Sequence, residues 1–173
     1  MHYIWLMIVI LLGTQKYSFH RLLEEVQRCI DNGTIKQEVI VQAGGTQFFS
    51  KEMKIFTLIE QNELEKLIEK ADIIITHGGV GSIVNGVKLH KKVIAVPRYK
   101  KYGEVANDHQ VQIINTFAKE GFIIGLNDVS ELESALKEIE NFKPKVLESN
   151  TEKIINIIRD FINNDSTTKN KKH

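Results

Sequence analysis

The residues richest in chemistry lie mid-chain, in the run Asp72-Ile73-Ile74-Ile75-Thr76-His77-Gly78-Gly79-Val80-Gly81-Ser82. Three consecutive isoleucines suit a strand buried on both faces. Gly78, Gly79 and Gly81 let the backbone turn sharply and approach a ligand closely. Ser82 then opens a segment, 83–89, that reads as a helix. A strand, a glycine turn and a helix N-terminus together leave backbone N–H groups without intrahelical partners, and such groups favour an anion. His77 and Ser82 bracket the turn as candidate side-chain donors. Tight helix–sheet packing is the alternative use of the same glycines. The dinucleotide fingerprint fails, because Val84 stands where it needs glycine or alanine. A nicotinamide or flavin cofactor is therefore disfavoured and another phosphate ligand favoured.

The chain of 173 residues is long enough for one sizeable core. Its 42% hydrophobic and 26% charged residues are ordinary for a globular protein. A net charge of +1 gives no electrostatic reason to expect nucleic acid. The single cysteine, Cys29, excludes a disulfide or a thiolate metal cluster within one chain and fits a reducing compartment. Residues 1–12 are apolar apart from His2. They lack the basic start of a signal peptide and fall short of the ~20 residues of a spanning helix. We expect 7–12 to be a buried first strand, 1–6 an apolar leader, and Met7 an alternative start.

Gly13-Thr14-Gln15 forms a second turn between a strand and a helix. Ser18 is the expected cap of a helix carrying Phe19, Leu22, Leu23, Val26 and Ile30 at helical spacing, stopped by Asn32-Gly33. A strand at 38–42 leads into Ala43-Gly44-Gly45-Thr46. Residues 54–59 read as a strand and 63–70 as a helix. After the central turn come a strand at 92–96 ended by Pro97, a charged loop, a helix at 109–120 and a strand at 122–124. Asp128 or Ser130 caps a helix running to 139. A last helix is expected over 147–162, and a polar, basic tail over 164–173. Strands and helices alternate, which predicts an α/β fold with a doubly wound parallel sheet. Ligands of such sheets sit beyond the strand carboxyl ends at the switch point. The turns after 12, 42, 76 and 97 would converge there.

The combination of Thr76-His77-Gly78-Gly79-Val80-Gly81-Ser82, Pro97 and Asn107-Asp108-His109-Gln110 resembles the donor-binding half of GT-B glycosyltransferases, within the family-28 C-terminal domain. The chain looks most like stand-alone catalytic subunits of two-subunit transferases. These comprise bacterial capsule and exopolysaccharide subunits and the eukaryotic subunit that adds the second N-acetylglucosamine to a dolichol-linked sugar. Leu12-Gly13-Thr14-Gln15 with Phe19, and Lys91-Lys92-Val93-Ile94-Ala95-Val96-Pro97-Arg98, look like the bacterial branch. The resemblance covers residues 7–163.

The resemblance implies a Rossmann-like domain that binds a UDP-sugar, with His77, Gly78, Gly79, Gly81 and Ser82 on the diphosphate and Gly13 and Thr14 beside it. It implies His109 and Gln110 on donor-sugar hydroxyls and residues 59–61 at uracil. Asn85 stands where relatives hold the ribose with a glutamate. His90 stands where a glycine commonly ends the helix, and Glu60 replaces the usual proline or aromatic at the uracil loop. The reaction implied is sugar transfer to a lipid-linked saccharide in surface polysaccharide assembly, with neither metal nor other cofactor. A membrane-anchored acceptor-binding subunit would be the partner and would hold the chain at the inner face of the cell membrane. The alternative is a non-catalytic nucleotide-sugar-binding or scaffolding subunit. No general base is assigned. His20 reads as solvent-facing. Asp108 reads as a helix cap or a sugar contact, and Arg98, Lys100 and Lys101 as a solvated loop or as cations steering the donor. The apolar face of Ile154, Ile155, Ile157, Ile158, Phe161 and Ile162 is the expected docking surface, with Tyr3 and Trp5.

Overall fold

A computed structural model describes residues 6–146 and 152–169. The expectations for Tyr3, Trp5, the onset of the last helix and the end of the tail lie outside the described residues. Six strands, β1 (Met7–Leu11), β2 (Glu38–Gln42), β3 (Met53–Phe56), β4 (Ile73–Thr76), β5 (Lys92–Ala95) and β6 (Ile124–Gly125), form one sheet. Its order is β3-β2-β1-β4-β5-β6 and every pairing is parallel. The strand order reverses between β1 and β4, whose registers pair Leu11 with Thr76. The doubly wound α/β sheet expected from the sequence is therefore present, and the first and central turns leave the sheet side by side at the switch point.

Side-chain alternation along β1 builds the two cores. Ile8, Ile10 and Leu12 face α1 (His20–Asp31) and α5 (Leu132–Ile139), together with Phe19, Leu22, Leu23, Val26 and Leu136. Val9 and Leu11 face the opposite layer of α2 (Gln61–Lys70), α3 (Val80–Lys88), α4 (His109–Lys119) and α6 (Glu152–Lys169). Both faces being covered, the central strands read as continuous apolar runs.

Several boundaries differ from the expected ones. Ser18 does not cap α1: Phe19 is the N-cap residue, and its N–H is satisfied by Thr46 Oγ1 at 2.8 Å, from a turn distant in sequence. The third strand is shifted to Met53–Phe56, the last strand is shortened and shifted from 122–124 to Ile124–Gly125, and α6 continues beyond 163 to Lys169. Four residues of the proposed docking face pack on this domain's own core: Ile154, Ile157, Ile158 and Phe161. Ile155 and Ile162 remain 43% and 56% exposed, so the exposed part of the face is narrower than the sequence pattern implies.

Candidate functional site

His77 sets the geometry of the switch point. Its backbone N–H donates to Leu11 O at 3.1 Å, and its Nδ1 lies 3.0 Å from the same oxygen. A carbonyl only accepts, so Nδ1 carries the proton and Nε2 does not. Burial, followed by the nearby Arg98 charge, outweighs this bond and pushes the pKa down to about 4, so the ring is neutral at pH 7. A Cβ on Gly13 would stand 3.0 Å from His77 Cε1, and one on Gly79 2.8 Å from it. The two glycines make room for the imidazole between the turns. With its one N–H committed to Leu11, His77 serves as a wedge, and the expected His77 donor to an anion is not available in this geometry.

Gly78, at φ 87°, is the residue that needs the left-handed region. Gly79 is the N-cap of α3 and supplies no side-chain bond to it. The first helical bond runs from Ile83 N to Gly79 O at 3.0 Å, so the N–H groups of Val80, Gly81 and Ser82 precede it. The helix thus begins at Val80, not after Ser82. Gly81 is helical, and a Cβ there would meet nothing within 4 Å. Its glycine leaves the helix end bare and is not required for the turn. The arrangement is a row of backbone donors, reinforced by the helix dipole, at the carboxyl edge of the sheet.

A cavity of about 260 Å³ opens beside Val80, the first of these donors, lined also by Gln15, Gly78, Gly79, Asn107 and Gln110 among others but not by Gly81. His109 and Phe161 also border it. Gln110 Oε1 is buried with no hydrogen-bond partner. Leaving such an oxygen unpaired costs about 1–3 kcal/mol, which a ligand donor would recover. Of the residues expected at the site, Gly78, Gly79, His109 and Gln110 meet in this cavity. Gly13 and His77 pack behind Gly79, whereas Thr14 is exposed, Ser82 and Asn85 are half-buried, and none of these three borders the cavity. Gly44 and Gly45 reach the same edge but serve packing: a Cβ on Gly44 would lie 2.4 Å from Gly13 O. A larger cavity of about 400 Å³, lined by Asp72, His90, Lys91 and Lys92, lies at the opposite, amino edge. It contains none of the expected site residues.

Contacts bear on four further expectations. Asp108 occupies the N-cap of α4 without capping it: its Oδ1 accepts from Lys100 N at 2.8 Å, while Asn107 Oδ1 accepts from His109 N at 3.2 Å. His20 is exposed, beside Glu24 and Phe48, as expected. Arg98 is no solvated loop residue, being 1% exposed. The backbone N–H of Ile59, at the expected uracil segment, already donates to Gln42 Oε1 at 3.0 Å. Among the described residues no group of three His, Cys, Asp or Glu side chains forms a metal site.

Fold and site define a doubly wound α/β domain with an uncapped helix N-terminus at its switch point, and the family is shown directly. The chain belongs to the glycosyltransferase family 28 C-terminal domain, whose model matches residues 7–164. It is similar to the "UDP-N-acetylglucosamine transferase subunit ALG13" of Candida glabrata, 34% identical over 95 residues, covering 53% of this chain and 46% of the relative. The Candida albicans protein of the same name is 28% identical over 109 residues, covering 63% of this chain and 36% of that one. The matches thus span about half or less of these relatives. Among solved structures, an ALG13 solution structure covers 82% of this chain and 88% of its own, with TM-score 0.51 at 18% identity. Acinetobacter baumannii MurG covers 82% and 41%, with TM-score 0.55 at 15% identity. These structural likenesses show a shared fold.

Proposed function

We propose that this chain is the donor-binding half of a glycosyltransferase that takes a UDP-sugar. The observation that carries this reading is the uncapped N-terminus of α3, whose first residue Val80 lines a cavity together with Gln110, a side chain with a buried, unpartnered oxygen. The diphosphate lies on the amides, and a hydroxyl of the sugar donates to Gln110. As the bond between the sugar and the diphosphate breaks, charge builds on the leaving oxygen, and the amides and helix dipole stabilise it. Backbone supplies this potential, so the reading calls for no metal. The curated relatives are named as UDP-N-acetylglucosamine transferase subunits, which makes UDP-N-acetylglucosamine the first donor to test.

The acceptor in this proposal is a lipid-linked saccharide. A second, membrane-anchored subunit holds it at the inner face of the cell membrane and provides the base for the acceptor hydroxyl. The word "subunit" in the relatives' names supports a partner. Among the described residues no helix is long and apolar enough to cross a membrane. The surface-polysaccharide setting rests on the strings 12–15 and 91–98 alone. The scaffolding alternative draws on the lack of an assigned base. Turnover by the chain with its partner separates the two readings. Gly81→Val abolishes transfer if this crevice binds the donor, whereas unchanged turnover would leave the scaffold. Calorimetric titration across UDP-sugars identifies the donor.

A further inference from the structure

Arg98 is the largest fully buried side chain among the described residues, and it carries a charge. Its Nη2 donates to Leu12 O at 2.6 Å, and its guanidinium carbon lies 5.4 Å from the centre of the Phe19 ring. Its Nε has no partner. Among the described residues no carboxylate pairs with it. Glu104, the acid whose field reaches it, is itself buried and committed elsewhere: Arg21 Nε and Nη2 donate to it at 2.6 and 2.9 Å, and Tyr99 N at 3.0 Å. A buried charge without a contact partner is costly unless something compensates it.

The position of this charge matters. Leu11 O holds the His77 imidazole, and the next carbonyl, Leu12 O, holds Arg98. The guanidinium is therefore anchored one residue before the Gly13 turn, at the switch point. Its field reaches His77, whose protonation it opposes. The same field acts on an anion held by the amides that follow His77. No phosphate contact is implied, because Leu12 and Phe19 enclose the group.

We propose that Arg98 is a positioning residue for the donor diphosphate, a buried cation that biases the switch-point crevice toward dianionic ligands through space. This inference rests on the donor-site reading. Burial lowers the guanidinium pKa to about 10, which leaves it charged at neutral pH. The bound diphosphate supplies the compensation that the protein withholds, and Glu104 opposes the effect.

The test uses the full chain and two probes, UDP and uridine, titrated calorimetrically. Arg98→Met weakens UDP binding about tenfold and leaves uridine unchanged, while Arg98→Lys restores most of the loss. Glu104→Gln works in the opposite direction and tightens UDP binding severalfold without affecting uridine, a gain that structural damage does not produce. Should Arg98→Met fail to fold, the lysine and Glu104→Gln variants decide. Equal losses for UDP and uridine, or unchanged or weakened UDP binding in Glu104→Gln, would overturn the inference while leaving the donor site standing. Absence of UDP binding by the unaltered chain would overturn the donor-site reading, and this inference with it.

Discussion

In the proposed site the missing side chain at Gly81 makes room for the ligand, because the backbone there does not require glycine. The position is helical and its Cβ direction is empty within 4 Å. Gly81→Val should therefore fold, with stability unchanged or slightly raised by well under about 1 kcal/mol, and lose UDP binding by filling the anion's space. Unchanged affinity in a titration would remove the amides from the site. Gln110→Ala should weaken UDP-sugar binding and spare UDP, since the proposed contact is to the sugar. Equal losses for the two ligands would show a different role. His77 makes a pH prediction. Its folded pKa, about 4, lies below the ordinary 6.5, so the native state prefers the neutral ring. The contribution is complete above pH 6.5 and is lost as pH falls toward 4, by up to about 3 kcal/mol. Denaturant curves for the protein and for His77→Asn should converge over this interval. Parallel curves would place the titration elsewhere. Arg98 shows what the sequence hides at this scale. Amid Lys100 and Lys101 it reads as solvated, and only Leu12, 86 residues away, and Phe19 reveal its burial.

The central strands were legible because continuous β-branched runs have few other uses, whereas the edge strands β3 and β6 lack such runs and lie displaced from their expected places; the alternation of elements dictated the parallel sheet. Helix starts were less evenly so: α4 begins at His109 as expected, whereas α3 does not begin where the sequence places it. Val80, Gly81 and Ser82 are weak helix formers, and Ser82 resembles a cap, so α3 reads as starting too late. Packing of Ile83 and Val87 on the sheet overrides that local preference. The end of α3 was legible from His90. His90 N donates to Val87 O and Lys91 N to Gly86 O, a Schellman closure, with His90 at φ 56°. His90→Gly should relieve the left-handed strain and raise stability by about 0.5–1 kcal/mol. A fall in thermal midpoint would mean that the histidine side chain contributes more than its backbone costs.

The residues matched by the family model make one Rossmann-like domain, and the chain covers 41% of MurG. In the proposal the acceptor half belongs to a partner, docked on the exposed remainder of α6. Because Ile154, Ile157, Ile158 and Phe161 are built into the core, truncation after Pro144 would injure the donor domain itself. Ile155→Asp and Ile162→Asp are cleaner. Each should keep UDP binding and weaken partner association about tenfold or more in co-purification with quantified yields. Undiminished association would move the interface elsewhere.

The central claim is that a diphosphate sits on the uncapped start of α3. Amide proton–nitrogen correlation spectra, recorded while UDP is titrated into the chain, test it most directly. The account predicts progressive shifts concentrated at Val80, Gly81 and Ser82, absent when uridine replaces UDP. Shifts confined to other parts of the chain, such as the amino-edge cavity around His90 and Lys92, would contradict it.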